Sequence, residues 1–143
     1  MDFHNLTIID MEDLRVHAKD VIEAGANFIQ VEITKENMDS ILSGLLSRGD
    51  MLIDLAWNIS TIDLIDWCQD NDVLFINTSI EVWEPYMPNS GLSAADDTIY
   101  ARHVAFKEFK QRRTGGATTA IIEHGAHTLT RKLKKTLAYC LQM

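Results

Sequence analysis

The chain alternates short apolar runs with longer stretches in which apolar residues recur at helical spacing. Leu6-Thr7-Ile8-Ile9 is too brief for a helix, and it leads into Met11 to Ala24, where Leu14, Val16, Ala18, Val21 and Ile22 share a helical face. The same unit returns as Phe28-Ile29-Gln30-Val31 before Lys35 to Leu46, as Met51-Leu52-Ile53-Asp54-Leu55 before Thr61 to Cys68, and as Val73-Leu74-Phe75-Ile76. Gly25 and Gly49 follow the first two helical stretches, where a left-handed residue closes a helix at least cost in glycine. Ser93, with Asp96 three residues on, predicts a capped helix running through Phe109, and Gly115-Gly116 ends it ahead of a fifth run, Ala117 to Ile122. Strand-like runs alternating with helical segments predict an α/β fold, a mostly parallel sheet with crossover helices.

Composition narrows the class. A chain of 143 residues, 46% hydrophobic and 24% charged with two prolines, describes one soluble domain and excludes collagen-like and disordered classes. At this size roughly two-thirds of the unfolded surface can be buried, so no disulfide or structural metal is required. Cys68 and Cys140 are too few for a disulfide framework, and Cys68 sits in the apolar stretch Ile65-Asp66-Trp67-Cys68, as a buried reduced thiol would. A cytoplasmic location is expected, with no basic leader and no apolar run of membrane-spanning length.

The net charge of −8 is divided unevenly. Residues 1–100 hold 19 acidic and 4 basic side chains, or −15, whereas residues 101–143 hold 2 and 9, or +7. The acidic part repels phosphate backbones and favours a cationic ligand, which argues against nucleic acid as a partner.

In an open parallel sheet, ligands sit beyond the carboxyl ends of the strands, so the residues after each run are where chemistry is expected. Asp10 ends Ile8-Ile9-Asp10 as an acidic residue does when it accepts hydrogen bonds from an adenosine ribose; a strand-terminal Asp also serves as a plain turn or cap. No Gly-x-Gly-x-x-Gly occurs anywhere, and only five residues precede Leu6. Ile80-Glu81-Val82-Trp83-Glu84-Pro85-Tyr86 sets two carboxylates beside two aromatic rings. An alkylammonium ligand needs that pairing, charge neutralisation with cation–π contact, although a loop covering the sheet edge would look the same. Trp57 and Trp67 read as core or near-core aromatics. No metal site is expected, because His103 lacks a ligating partner one helical turn on.

Four blocks carry a resemblance. Leu52-Ile53-Asp54-Leu55-Ala56-Trp57-Asn58-Ile59-Ser60, Phe75-Ile76-Asn77-Thr78-Ser79-Ile80-Glu81-Val82-Trp83, Ile99-Tyr100-Ala101-Arg102-His103 and Thr119-Ala120-Ile121-Ile122-Glu123-His124-Gly125-Ala126 resemble bacterial homospermidine synthase, of the saccharopine-dehydrogenase-like proteins. The resemblance covers roughly residues 5–126 in order. It implies a Rossmann-type domain with NAD as a bound hydride carrier, and a reaction that joins two molecules of putrescine to homospermidine with loss of ammonia. It further implies that Asp10 meets the adenosine ribose and that Leu55, Ala56 and Thr78 line the cofactor. Asn58, Glu81 and Trp83 would then face the substrate, with Glu81 holding an amine.

Against that family the first strand and Gly-rich phosphate turn are missing from the chain. Its Gly125-Ala126 also runs into His127-Thr128-Leu129-Thr130-Arg131 where the family continues Gly-Ala-Asn-Pro-Gly. The expected organisation is therefore a partial Rossmann-type dinucleotide-binding domain over 1–126 and a divergent basic tail, helical or disordered, over 127–143. This polypeptide by itself is expected to be inactive. The alternative is a catalytically inactive remnant or interaction domain of a broken gene, which would associate through an exposed first-strand edge and could form a homo-oligomer. An amino-acid dehydrogenase would need a carboxylate-binding arginine near Trp83, and none is close in sequence.

Overall fold

Each apolar run becomes a strand within two residues of its expected bounds: β1 (Leu6–Asp10), β2 (Asn27–Gln30), β3 (Met51–Asp54), β4 (Leu74–Asn77) and β5 (Thr119–Ile121). The structure, a computed structural model, describes residues 3–83, 98–113, 119–121 and 138–141. Strand β1 pairs parallel with β2, while β4 pairs parallel with both β3 and β5. Both faces of β1 are buried. Leu6 and Ile8 pack with Ala26, Phe3 and Val21 on one side, and Ile9 joins the larger cluster of Leu42, Leu52, Ile65 and Phe75 on the other. A parallel sheet covered on both faces demands this, and it explains why the runs are continuously apolar rather than alternating.

The helices are α1 (Lys19–Glu23), α2 (Met38–Leu45), α3 (Thr61–Asp70) and α4 (Ile99–Arg112). The first is much shorter than the periodicity of 11–24 predicts. Side-chain acceptors divert the backbone ahead of it: Glu12 N–H donates to Asp10 Oδ1 (2.8 Å) and Arg15 N–H to Asp13 Oδ1 (3.1 Å). Such Asx turns compete with the helical ladder. Helix α1 then closes as expected, with Gly25 at φ 110° and bonds from Gly25 N–H to Ile22 O and from Ala26 N–H to Val21 O, a Schellman closure. A Cβ on Gly25 would also stand 2.7 Å from the His4 ring, so glycine is required there twice over. Gly49 likewise takes a left-handed φ of 93°. Ser93 lies outside the described residues, and the cap of α4 is Thr98, whose Oγ1 accepts from Ala101 N–H at 3.2 Å.

Trp67 and Cys68 are buried on α3 as expected, and Trp67 Nε1–H ties α3 to α2 through Asp39 Oδ1 at 2.9 Å. Trp57 is the correction among the aromatics: it is 53% exposed. It leaves β3 just after the Ala56 N–H has turned back onto Asp54 Oδ1 (2.9 Å), which aims the following residue outward.

The largest departure lies in the tail. Residues Ala138–Leu141 form a sixth strand, β6, so this part of 127–143 is neither helix nor disordered. It runs antiparallel between β1 and β3, giving the strand order β2-β1-β6-β3-β4-β5. The expected open edge of β1 is therefore covered. The physical reason is the unpaired row of backbone groups on β1 and β3, which a four-residue segment of β-forming character can satisfy on both of its sides at once.

Because β6 is flanked on both sides, each of its N–H groups faces a neighbouring strand. Cys140→Pro would remove one such donor from the middle of the sheet and is expected to lower stability by about 3 kcal/mol. Denaturant titration of the purified chain checks this, and an unchanged midpoint would mean that β6 contributes nothing to the fold.

Candidate functional site

Strands β1, β3 and β4 run in one direction, since β6 opposes both β1 and β3. Asp10, Asn58 and Glu81 each follow a strand in the same sense and therefore share one edge of the sheet, the carboxyl edge. Asp10 and Asn58 also share a cleft of about 60 Å³ lined by Ile9, Met11, Val31, Glu32, Trp57 and Ile59 among others. Asp10 is buried and ends β1, with one carboxylate oxygen held by Glu12 N–H. Of the residues expected at a cofactor, Ala56 lines this cleft with Asp10. Leu55 is outside its lining, and Thr78 is exposed after β4.

Glu81 and Trp83 belong to a second group, bound to the start of α3. Ser60 caps that helix, its Oγ accepting from Asp63 N–H at 3.2 Å. Thr61 N–H then donates to Glu81 O (3.0 Å) and Glu81 N–H donates to Thr61 Oγ1 (2.9 Å), a reciprocal pair that fixes the Glu81 backbone. Trp83 Nε1–H donates to Asp63 Oδ2 at 2.6 Å, so the indole is anchored on the same first turn. The Glu81 carboxylate is paired with Arg102 of α4 at 2.9 Å, with side-chain exposures of 18% and 13%. Burial pushes the Glu81 carboxyl above its ordinary range, against the opposing pull of the Ser79 contact and Arg102. The arginine absent from the local sequence near Trp83 is thus delivered by the fold, and its Nη1 is engaged by Glu81 and, at 3.4 Å, by Ile80 O.

Sequence reasoning left Asp54 and Asn77 without a role. They end neighbouring strands in register and are both buried. Burial pushes Asp54 from 3.8 up to about 7, partly offset by the Ala56 N–H and Asn77, with the Glu81 charge adding to the rise. The signal was present: Leu52-Ile53 and Phe75-Ile76 are each followed by a polar residue, Asp54 inside its apolar run and Asn77 at the end of its own. Among the described residues no cluster of three or more His, Cys, Asp or Glu could hold a metal, and no helix is long and apolar enough to cross a membrane.

Asp54 makes stability depend on pH with a definite sign. The folded chain keeps the proton to about pH 7 while the unfolded chain releases it near 3.8, so between these values the unfolded state binds fewer protons and stability falls as pH rises. Asp54→Asn removes this titration. Its denaturant midpoint, measured against the wild type from pH 4 to pH 8, is expected to gain steadily up to about pH 7 and then level off, a difference on the order of a few kcal/mol. A difference independent of pH would contradict the buried acid.

Comparison with known proteins finds relatives of this chain and of its fold. Residues 1–121 match the saccharopine dehydrogenase NADP binding domain. The chain is 29% identical over 120 residues to homospermidine synthase of Mesorhizobium japonicum, covering 82% of this chain and 24% of that protein. It is 28% identical over 130 residues to the Blastochloris viridis homospermidine synthase, covering 88% and 26%. The crystal structure of Legionella pneumophila homospermidine synthase in complex with NAD superposes with a TM-score of 0.61 at 28% identity, over 85% of this chain and 23% of that one. The chain thus spans about a quarter of the length of these relatives. Its Rossmann-like α/β sheet and its match over residues 1–121 mean that the chain belongs to the saccharopine dehydrogenase NADP-binding-domain family.

Proposed function

We propose that this chain is the dinucleotide-binding part of a homospermidine-synthase-type enzyme, holding the adenosine half of NAD at the carboxyl edge while the Glu81 segment faces a diamine. One observation carries the reading: the buried Asp10 carboxylate ends β1 beside a cleft with apolar walls from Met11, Val31, Ile33 and Trp57. A carboxylate at that position accepts hydrogen bonds from ribose hydroxyls, and apolar walls suit a purine ring. Ala56 and Asn58 close the side of the cleft towards β3. The residues present fit the adenosine half. No glycine-rich turn in the sequence provides amides for the pyrophosphate.

When bound, NAD supplies a hydride acceptor and donor. The chain's own share of the chemistry falls to Glu81. A diamine such as putrescine arrives as a dication, and a half-buried carboxylate with raised proton affinity can hold one ammonium and accept its proton. Trp83, fixed by Asp63, offers the adjacent ring. Arg102 engages Oε2 of the Glu81 carboxylate, so an ammonium there would join that cation or replace it. The overall reaction balances as two putrescines to one homospermidine and one ammonia. A second reading, a non-catalytic remnant, is favoured by β6, because a domain whose central gap is already filled can stand alone.

Two measurements test the proposal. Calorimetry on the 143-residue chain is expected to find NAD binding no tighter than millimolar, since two or three absent pyrophosphate contacts of around 1 to 3 kcal/mol each weaken affinity by several powers of ten. What binding there is should favour NAD over NADP, because Asp10 repels a 2′-phosphate; a preference for NADP would overturn the Asp10 assignment. In a full-length enzyme carrying this domain, Glu81→Gln should reduce turnover at least a hundredfold, as for loss of an acid–base group, with little change in NAD affinity. Equal loss of both would remove Glu81 from the substrate role.

A further inference from the structure

One hydroxyl gathers the segment that carries Glu81. Thr61 is fully buried at the first position of α3. No helical carbonyl stands one turn behind a residue in that position, so its hydroxyl is free of the local bond that Thr makes inside a helix and reaches across to the end of β4 and the turn after it. Its oxygen accepts from Asn77 Nδ2 at 3.1 Å and from the Glu81 N–H at 2.9 Å, while its own hydrogen goes to Ser79 O at 3.3 Å. That exhausts a hydroxyl, with one hydrogen given and two lone pairs filled. The Thr61 N–H, a donor that the helix itself leaves over, is taken by Glu81 O at 3.0 Å. Arg102 holds the same turn from α4, with Nη1 at 3.4 Å from Ile80 O and 2.9 Å from the Glu81 carboxylate.

We propose that Thr61 is the positioning residue for Glu81, its hydroxyl fixing the backbone from which the carboxylate starts while Arg102 meets only the far end. The two holds differ in kind. The Arg102 pair joins two long side chains that turn about several bonds, so by itself it leaves the Glu81 backbone free to move. The Thr61 hydroxyl acts on backbone groups at Ser79 and Glu81, two residues apart, and so fixes both the place and the direction of the turn between them. Its bond from Asn77 ties that turn to the sheet as well as to the helix. Valine has nearly the shape of threonine and makes none of the three side-chain bonds; serine makes all of them. The positioning role rests on the reading of Glu81 as the amine-binding carboxylate, whereas the anchoring of the segment stands without it.

NMR with hydrogen exchange on the 143-residue chain tests the anchor. In the unaltered chain the Thr61 hydroxyl proton should exchange slowly and show a nuclear Overhauser contact to the Glu81 amide; a hydroxyl in fast exchange with water overturns the proposal, and this reading decides the matter even where a variant does not fold. Thr61→Val should make the Glu81 amide exchange about tenfold faster relative to the Ile8 amide of β1, with Thr61→Ser restoring its protection. No change at Glu81, or an equal change at Ile8, overturns the anchor. In a full-length enzyme carrying this domain, Thr61→Val should lower putrescine turnover by roughly tenfold to a hundredfold, the scale of a misplacement of about 1 Å, with NAD affinity unchanged and Thr61→Ser recovering most of the loss. Added to Glu81→Gln it should cost little more, because the two act through one carboxylate, and fully additive losses overturn the positioning role. If Glu81→Gln alone leaves turnover intact, the reading of Glu81 falls and the positioning role with it, while the exchange data still report whether the hydroxyl holds the segment.

Discussion

Two blocks of parallel strands, β2-β1 and β3-β4-β5, share no direct ladder. Each presents to the other a row of backbone donors and acceptors in the middle of the molecule, where water cannot satisfy them. Strand β6 resolves this by bonding to β1 on one side and β3 on the other. Everything at the carboxyl edge depends on it. The cleft shared by Asp10 and Asn58 has one wall from each block, so its width is set by the strand between them.

Polar side chains at strand ends do most of the local shaping. Asp10 and Asp54 each terminate a strand and each accept the N–H two residues on, turning the chain away from the sheet. The first turn shortens α1, and the second presents Trp57 to the cleft. The segment after β4 uses a different device, the reciprocal backbone and hydroxyl bonds between Thr61 and Glu81, which attach it to α3. Glu81 is thereby held between a helix start and Arg102, in an electrostatic setting distinct from that of Asp10.

Strands β1, β3 and β4 were legible because burial, complete on both faces of β1 and partial on one face of β3 and β4, writes itself as short apolar runs, and β2 and β5 were legible from their place in the same alternation of runs with helical stretches. Gly25 and Gly49 were legible for a backbone reason that holds wherever a helix closes in this way. Strand β6 was not, since Ala138-Tyr139-Cys140-Leu141 follows a basic stretch and has no pattern of its own; its pairing depends on a gap that only the assembled sheet creates. Within the site, the shared edge of Asp10, Asn58 and Glu81 followed from strand direction alone. Arg102 did not, because its approach to Glu81 is made by the packing of α4 across 21 residues of chain.

The pairing of residues 6–9 with 138–141 also carries a kinetic meaning. Contacts that link segments more than roughly a hundred residues apart require a large loop to close before they return any free energy, and sheets built on them form late. During synthesis β1 and β2 emerge long before β6 exists. The nascent chain must therefore carry an open strand edge through most of its translation, the condition in which strand-to-strand aggregation is fastest and chaperone capture most useful. Expression yield would then track how quickly the last strand is delivered rather than how stable the finished sheet is.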